Sequence, residues 1–201
     1  GGVFNLGHAR AEIAEVLARA ALDTDMGDWM LLSGIRATTA QNLAALAPAG
    51  LDYVQFGVTG SEAVEVACKL ARGTTGRQTI ITMENAYHGF SGFSLATAPA
   101  HITEPYGPLT PGIVQVPHGD LDAVARAIDA NTAAVLLETV QGSGGVILPP
   151  DGYLQGLRDL CDKHDVLLIC DEVQAGLGRT GKMFSFEHWG IVPDMAVVGK
   201  A

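Results

Sequence analysis

Asp165–Val166–Leu167–Leu168–Ile169–Cys170–Asp171–Glu172–Val173–Gln174 is the stretch whose reading decides the fold. Its unbroken apolar row follows a helix-like segment, precedes a glycine-rich loop, and reads as a strand buried on both faces. Such a strand has no use for a carboxylate unless its end opens onto something positive. Asp171 stands at that carboxyl end, where open α/β sheets place their ligands. Of the lysines, Lys69 falls on a helix, Lys163 at the end of another, and Lys182 in a glycine-flanked loop. Lys200 alone closes an apolar run, Met195–Ala196–Val197–Val198–Gly199, that reads as a second buried strand. An acid and an amine at the ends of two buried strands suit pyridoxal phosphate. The acid would hold the pyridinium proton and the amine would form a Schiff base. The competing account makes Asp171 a cap for a neighbouring loop and Lys200 a solvated surface amine.

Outward from this pair, strands alternate with helices. Tyr153 to His164 predicts a helix, and Ala133–Leu137 a buried strand ending at Glu138, followed by Gln141–Gly142–Ser143–Gly144–Gly145. A helix is expected from His118–Gly119–Asp120 to Ala130, with Leu121, Val124 and Ile128 on one face, after a strand at Ile113–Val116. Gln78–Met83 predicts another strand, preceded by a helix from Ser61 to Arg72 that Gly73 ends. Asp52–Tyr53–Val54–Gln55–Phe56 alternates as a short strand. Amphipathic helices are expected over Ala9–Leu22, with Ile13, Val16, Leu17 and Ala20 on one face, and over Thr38–Ala47. A turn-rich break, Asp23–Asp28, follows the first. Asn85 to Ser94 reads as an active loop leading into a short helix. Thr97–Pro111, rich in proline, reads as a long irregular excursion over the surface. The alternation predicts an α/β fold, a mostly parallel sheet with helices on both faces. The chain stops at the end of a buried strand and is therefore expected to be a fragment.

Composition narrows the class. The 201 residues are 48% apolar and 17% charged, a well-buried α/β balance. A net charge of −10 argues against nucleic acid or an anionic membrane as partner, because phosphate backbones need a positive field. No apolar run reaches spanning length, and the first residues carry no secretory pattern. Cys68, Cys161 and Cys170 form no CxxC pair, which suggests reduced thiols and a cytoplasmic home.

Several local patterns carry chemistry. Gly57–Val58–Thr59–Gly60 enters the helix at Ser61, whose first-turn amides lie at the positive end of the helix dipole. The glycines would let backbone approach an anion closely, a phosphate cup without a Walker lysine. An ordinary turn with Thr59 or Ser61 as N-cap accounts for the same residues. Tyr87–His88–Gly89 lies just past a strand end, where the ring could stack on a planar cofactor or fill a loop over the core. The six histidines lack ligand spacing, so a metal is not indicated. Gly176–Leu177–Gly178–Arg179–Thr180–Gly181 matches GxGxxG in form only. It does not open a helix directly after its strand, and Asp194 comes too early for a ribose-binding acid. The neighbourhoods of Ser91 and Ser143 each miss a glycine of the GxSxG elbow.

Taken in order, these segments resemble the class III pyridoxal-phosphate aminotransferases of the aspartate-aminotransferase fold type. Thr59–Gly60–Ser61–Glu62–Ala63–Val64–Glu65 is similar to that family's phosphate-binding turn, and Ala86–Tyr87–His88–Gly89 to its ring-stacking motif. Glu138–Thr139–Val140–Gln141–Gly142, Asp171–Glu172–Val173–Gln174 and Pro193–Asp194 through Gly199–Lys200 complete the series. The resemblance implies residues 1–201 to be the cofactor-binding large domain with part of an N-terminal segment, truncated at both ends and lacking the small domain. It implies Lys200 and Asp171 as catalytic residues, with Lys200 the Schiff-base lysine and proton shuttle. The cofactor-contacting set it implies is Gly60, Ser61, Tyr87, His88, Glu138, Asp171, Val173, Gln174 and Lys200. Within it, Val173 and Tyr87 take opposite ring faces, Gln174 the phenolic oxygen, and the Gly60 and Ser61 amides the phosphate. Glu138 would support Gln174 or the ring hydroxyl. A cytoplasmic homodimer with interface sites follows, moving an amino group from an amine or amino acid to a keto or aldehyde acceptor.

Two departures from the family pattern stand out. Ser143 replaces the glutamate that often follows the Gln–Gly pair, which leaves room for a decarboxylating transaminase or an aminomutase. Gly7–His8–Ala9–Arg10 lacks the usual following histidine and proline. A truncated chain that is inactive on its own is the rival from outside enzymology.

Overall fold

The computed structural model describes residues 1–23 and 33–200. Its strands are β1 (Thr79–Met83), β2 (Ile113–Val116), β3 (Thr132–Glu138), β4 (Leu167–Asp171) and β5 (Met195–Val197). They pair in the order β2-β1-β3-β4-β5, each pairing parallel. A parallel sheet must be covered on both faces, and β3 is accordingly buried along its whole length. The helices are α1 (Ala11–Asp23), α2 (Gly34–Leu46), α3 (Gly60–Thr75), α4 (Gly92–Ala96), α5 (Ala100–Thr103), α6 (Leu121–Ala127) and α7 (Tyr153–His164).

Alternation along β3 sends its side chains to two cores. Val135 and Leu137 join Val124 of α6 and Leu154, Leu157 and Cys161 of α7 on one face. Ala134 and Leu136 join Val64, Ala67, Cys68 and Ala71 of α3 on the other. The mostly parallel sheet with helices on both faces is thus as the sequence predicts, and α7 has the predicted bounds.

Other elements differ from expectation. Asp52–Phe56 forms no strand. With β5 it lines a groove of about 720 Å³, and Tyr53 is 98% exposed. The helix expected to stop at Gly73 continues to Thr75, because Gly76, at φ 70°, supplies the left-handed cap and donates to the Arg72 carbonyl. The helix expected from His118 begins at Leu121, since Asp120 caps it by accepting from Ala123 N. The excursion Thr97–Pro111 contains α5 and a short 3-10 turn, Glu104–Tyr106. On α1 the predicted apolar face exists but is uncovered, with Val16 65% and Leu17 64% exposed. The break expected at Asp23–Asp28 lies, apart from its first residue, outside the described residues.

Candidate active site

Topology selects one edge of the sheet. From β1 the chain passes to β2 on one side and then to β3 on the other, so the strand order reverses between β1 and β3. Open α/β sheets bind ligands in the crevice at the carboxyl ends beside such a reversal. Register pairs Glu138 with Asp171, and Asp171 with Val197, so three strand ends lie level. Lys200 follows just beyond β5, and Tyr87 and His88 come from the loop after β1. The first turn of α3 adds Gly60 and Ser61. Gly60, Ser61, Tyr87, His88, Glu138, Asp171, Val173, Gln174 and Lys200 all line one cleft of about 190 Å³, with Thr59 and Gly89.

Asp171 is 4% exposed, and a carboxylate so placed is costly unless its oxygens are satisfied. His88 Nδ1 lies 2.7 Å from Oδ2, and Val173 N donates to Oδ1 at 3.0 Å. A carboxylate only accepts, so Nδ1 carries the hydrogen. Its Nε2 lies 3.3 Å from the Thr82 hydroxyl, so both ring nitrogens are engaged. His88 therefore stands behind Asp171 as its orienting partner, a role invisible in the sequence because the two are far apart along the chain.

Lys200 adopts a left-handed backbone, φ 57°, uncommon for a residue with a side chain. Its Nζ lies 5.9 Å from the Tyr87 ring centroid, within cation–π range. The Tyr87 ring in turn meets Phe90 edge-on at 5.2 Å. At the start of α3, Thr59 caps the helix by accepting from Glu62 N at 3.1 Å. The capping reading is therefore correct, and the same turn lines the cleft. Gly60 has no room for a Cβ wider than 3.1 Å from Val173 Cγ1, and Gly199 would place one at 3.4 Å. These two glycines hold the Val173 side chain at the cleft wall. Gly89, at φ 113°, packs so close to Ser61 that any Cβ would collide with its side chain.

Glu138 spans two segments of the wall, accepting from Tyr87 N at 2.7 Å and Gly142 N at 3.1 Å. Burial pushes its pKa up, and those two amides together with His88 oppose the rise. Its observed partners are thus backbone amides. Glu172, fully buried, accepts from Ser185 N at 2.6 Å, from Thr139 Oγ1 at 3.1 Å and from the Ser185 hydroxyl. Burial raises its pKa as well, against those donors. It anchors the segment after β4 to the rest of the site, a role the sequence did not single out. Asp194 is another: it accepts from Leu168 N at 2.7 Å and from Arg158 at 2.8 Å, locking β5 beside β4. Residues 173–180 form turns and 181–184 bends, so the GxGxxG match opens no helix.

Acid, amine, aromatic ring and helix N-terminus meet at the carboxyl end of a parallel sheet in an α/β protein. The aminotransferase class-III family matches residues 2–201, and the chain belongs to that family. An uncharacterized aminotransferase of Archaeoglobus fulgidus is 48% identical over 200 residues, which cover 100% of this chain and 47% of that protein. Ornithine aminotransferase from Toxoplasma gondii superposes with a TM-score of 0.93 at 30% identity, over 99% of this chain and 49% of that one. Taurine:2-oxoglutarate aminotransferase from Bifidobacterium kashiwanohense, solved with PLP and glutamate, gives 0.88 at 31% identity, over 96% and 49%. The chain spans about half the length of the relatives it matches.

Proposed function

We propose that the protein is a pyridoxal-phosphate-dependent aminotransferase, transferring an amino group from an amine or amino acid to a keto or aldehyde acceptor. The observation that carries this is the convergence of Asp171 and Lys200, from the ends of adjacent parallel strands, on a cleft that also holds the α3 N-terminus. The residues fit the cofactor. The Gly60 and Ser61 amides at the start of a long helix suit its phosphate, and Gly89 keeps that corner open. Asp171, held by His88, suits the ring nitrogen and would keep it protonated. Tyr87 and Val173 offer faces for the ring, and Gln174 an amide for its phenolic oxygen. Once bound, the pyridinium supplies an electron sink for the bond broken next to the transferred nitrogen.

Lys200 would hold the cofactor and would serve as the base that takes and returns the proton at the carbon bearing the nitrogen. Glu138 acts on the wall, binding the Tyr87 and Gly142 segments together. A homodimer is part of the proposal, supported by the uncovered apolar face of α1. So is a cytoplasmic location, which suits three buried, unpaired thiols.

The test is reduction with borohydride after loading with pyridoxal phosphate, followed by peptide mass mapping. The cofactor should be fixed at Lys200, and Lys200→Ala should lose both the adduct and amino transfer. An adduct elsewhere, or transfer surviving in Lys200→Ala, would refute the assignment.

A further inference from the structure

The loop Gly176–Gly181 contacts the first residues of the chain. Asn5 Nδ2 donates to the Leu177 carbonyl at 3.1 Å. Arg179 reaches back, its Nη2 donating to the Gly2 carbonyl at 3.3 Å and to Asn5 Oδ1. Contacts of this kind at the surface contribute little to global stability, so what they achieve is local.

What they hold in place is Gly2. Its backbone, at φ 75°, lies so close to Gln174 that a Cβ there would sit 2.8 Å from Nε2 and 2.9 Å from Cγ. Gly142 crowds the same side chain from another segment, where a Cβ would sit 2.6 Å from Cδ. Gly142 is itself fixed, donating its N–H to Glu138 at 3.1 Å. A glutamine has several bonds free to rotate, and here two glycine backbones from distant parts of the chain confine it. Gln174 lines the cleft beside Lys200 and Asp171.

We infer that the clasp of Asn5 and Arg179 is a positioning device for Gln174. By pressing the Gly2 backbone onto the side chain, it sets which way the amide points into the site. Arg179 is thus a positioning residue, acting through Gly2 on a group that touches the cofactor. The inference rests on the cofactor reading above.

The experiment uses the full-length protein loaded with pyridoxal phosphate. Arg179→Ala should shift the visible absorption band of the bound cofactor and weaken its affinity about tenfold, the coupling expected of neighbouring groups. The melting temperature should stay near that of the wild type. In a Gln174→Ala background the same substitution should change neither band nor affinity further. If Arg179→Ala does not fold, Gly2→Ala replaces it, since its Cβ displaces Gln174 directly, and it must show the same dependence on Gln174. An unchanged band and affinity, or equal effects with and without Gln174, overturns the inference while leaving the cofactor reading intact. A wild type that takes up no pyridoxal phosphate overturns that reading and the inference with it.

Discussion

His88 donates its Nδ1 hydrogen to Asp171 Oδ2 at 2.7 Å, and both side chains are sealed from water. A buried carboxylate deprived of one partner retains its desolvation cost and gains freedom to turn. His88→Ala should therefore destabilise the fold by about 2 kcal/mol, the usual cost of an unsatisfied buried group. It should also weaken pyridoxal phosphate binding. Urea unfolding of the cofactor-free protein and a cofactor titration measure the two effects separately. Full retention of both would mean that Asp171 needs no orienting partner.

Gly89 and Gly145 separate backbone strain from crowding. Both have a strongly positive φ, 113° and 119°, but a Cβ at Gly89 would strike Ser61, whereas Gly145 opens onto free space. Gly145→Ala should lose about 1 kcal/mol, from conformation alone. Gly89→Ala should lose more and should also impair binding of inorganic phosphate, because Ser61 must move. Equal losses in the two variants would show that the packing at Ser61 is slack.

His118 predicts a dependence on pH. Both its ring nitrogens are buried without a hydrogen-bond partner, beside the Tyr153 ring at 5.6 Å, and burial holds its pKa below the ordinary 6.5. Above that value the ring is neutral in folded and unfolded chains alike and adds no pH dependence. As pH falls through it, the unfolded chain binds a proton that the folded protein refuses, and stability drops. His118→Phe should remove that share of the loss between about pH 7.5 and about pH 5.5, read as the difference in urea midpoints from wild type. Parallel curves for the two proteins would exclude His118 as a source.

Glu172→Ala should cost about 3 kcal/mol, because it strands the Ser185 amide and the Ser185 and Thr139 hydroxyls in a dry interior. The loss should spread to the cleft, since Asp171 and Val173 flank Glu172 in the chain. Thermal melts and cofactor affinity should fall together. A variant that melts normally but binds poorly would mean that Glu172 acts on the site without holding the fold.

Legibility in the sequence followed how local each cause is. Leu154, Leu157 and Cys161 recur at helical spacing, so α7 could be read with its bounds, and the apolar runs before Asp171 and Lys200 marked β4 and β5. Tyr53 misled because alternation does not say whether a sheet edge will pair with the segment, and here none does. Val16 and Leu17 form the expected stripe on α1, but a stripe does not say whether anything covers it. Nine of the cleft's eleven residues were readable as strand-end, loop and helix-start residues of suitable chemistry. Their supports were not: His88 meets Asp171, Arg179 meets Gly2 and Glu172 meets Ser185 only once the chain has folded.

Level strand ends have a kinetic consequence. Every pairing in this sheet is parallel, so none forms by a quick local hairpin, and sheets of this kind assemble slowly. The acid and the amine are carried by the last two strands of the order, and neither faces a shared hollow until β5 has docked. A ligand that needs both would act as an inspector of the finished sheet, ignoring every intermediate and rewarding only completion.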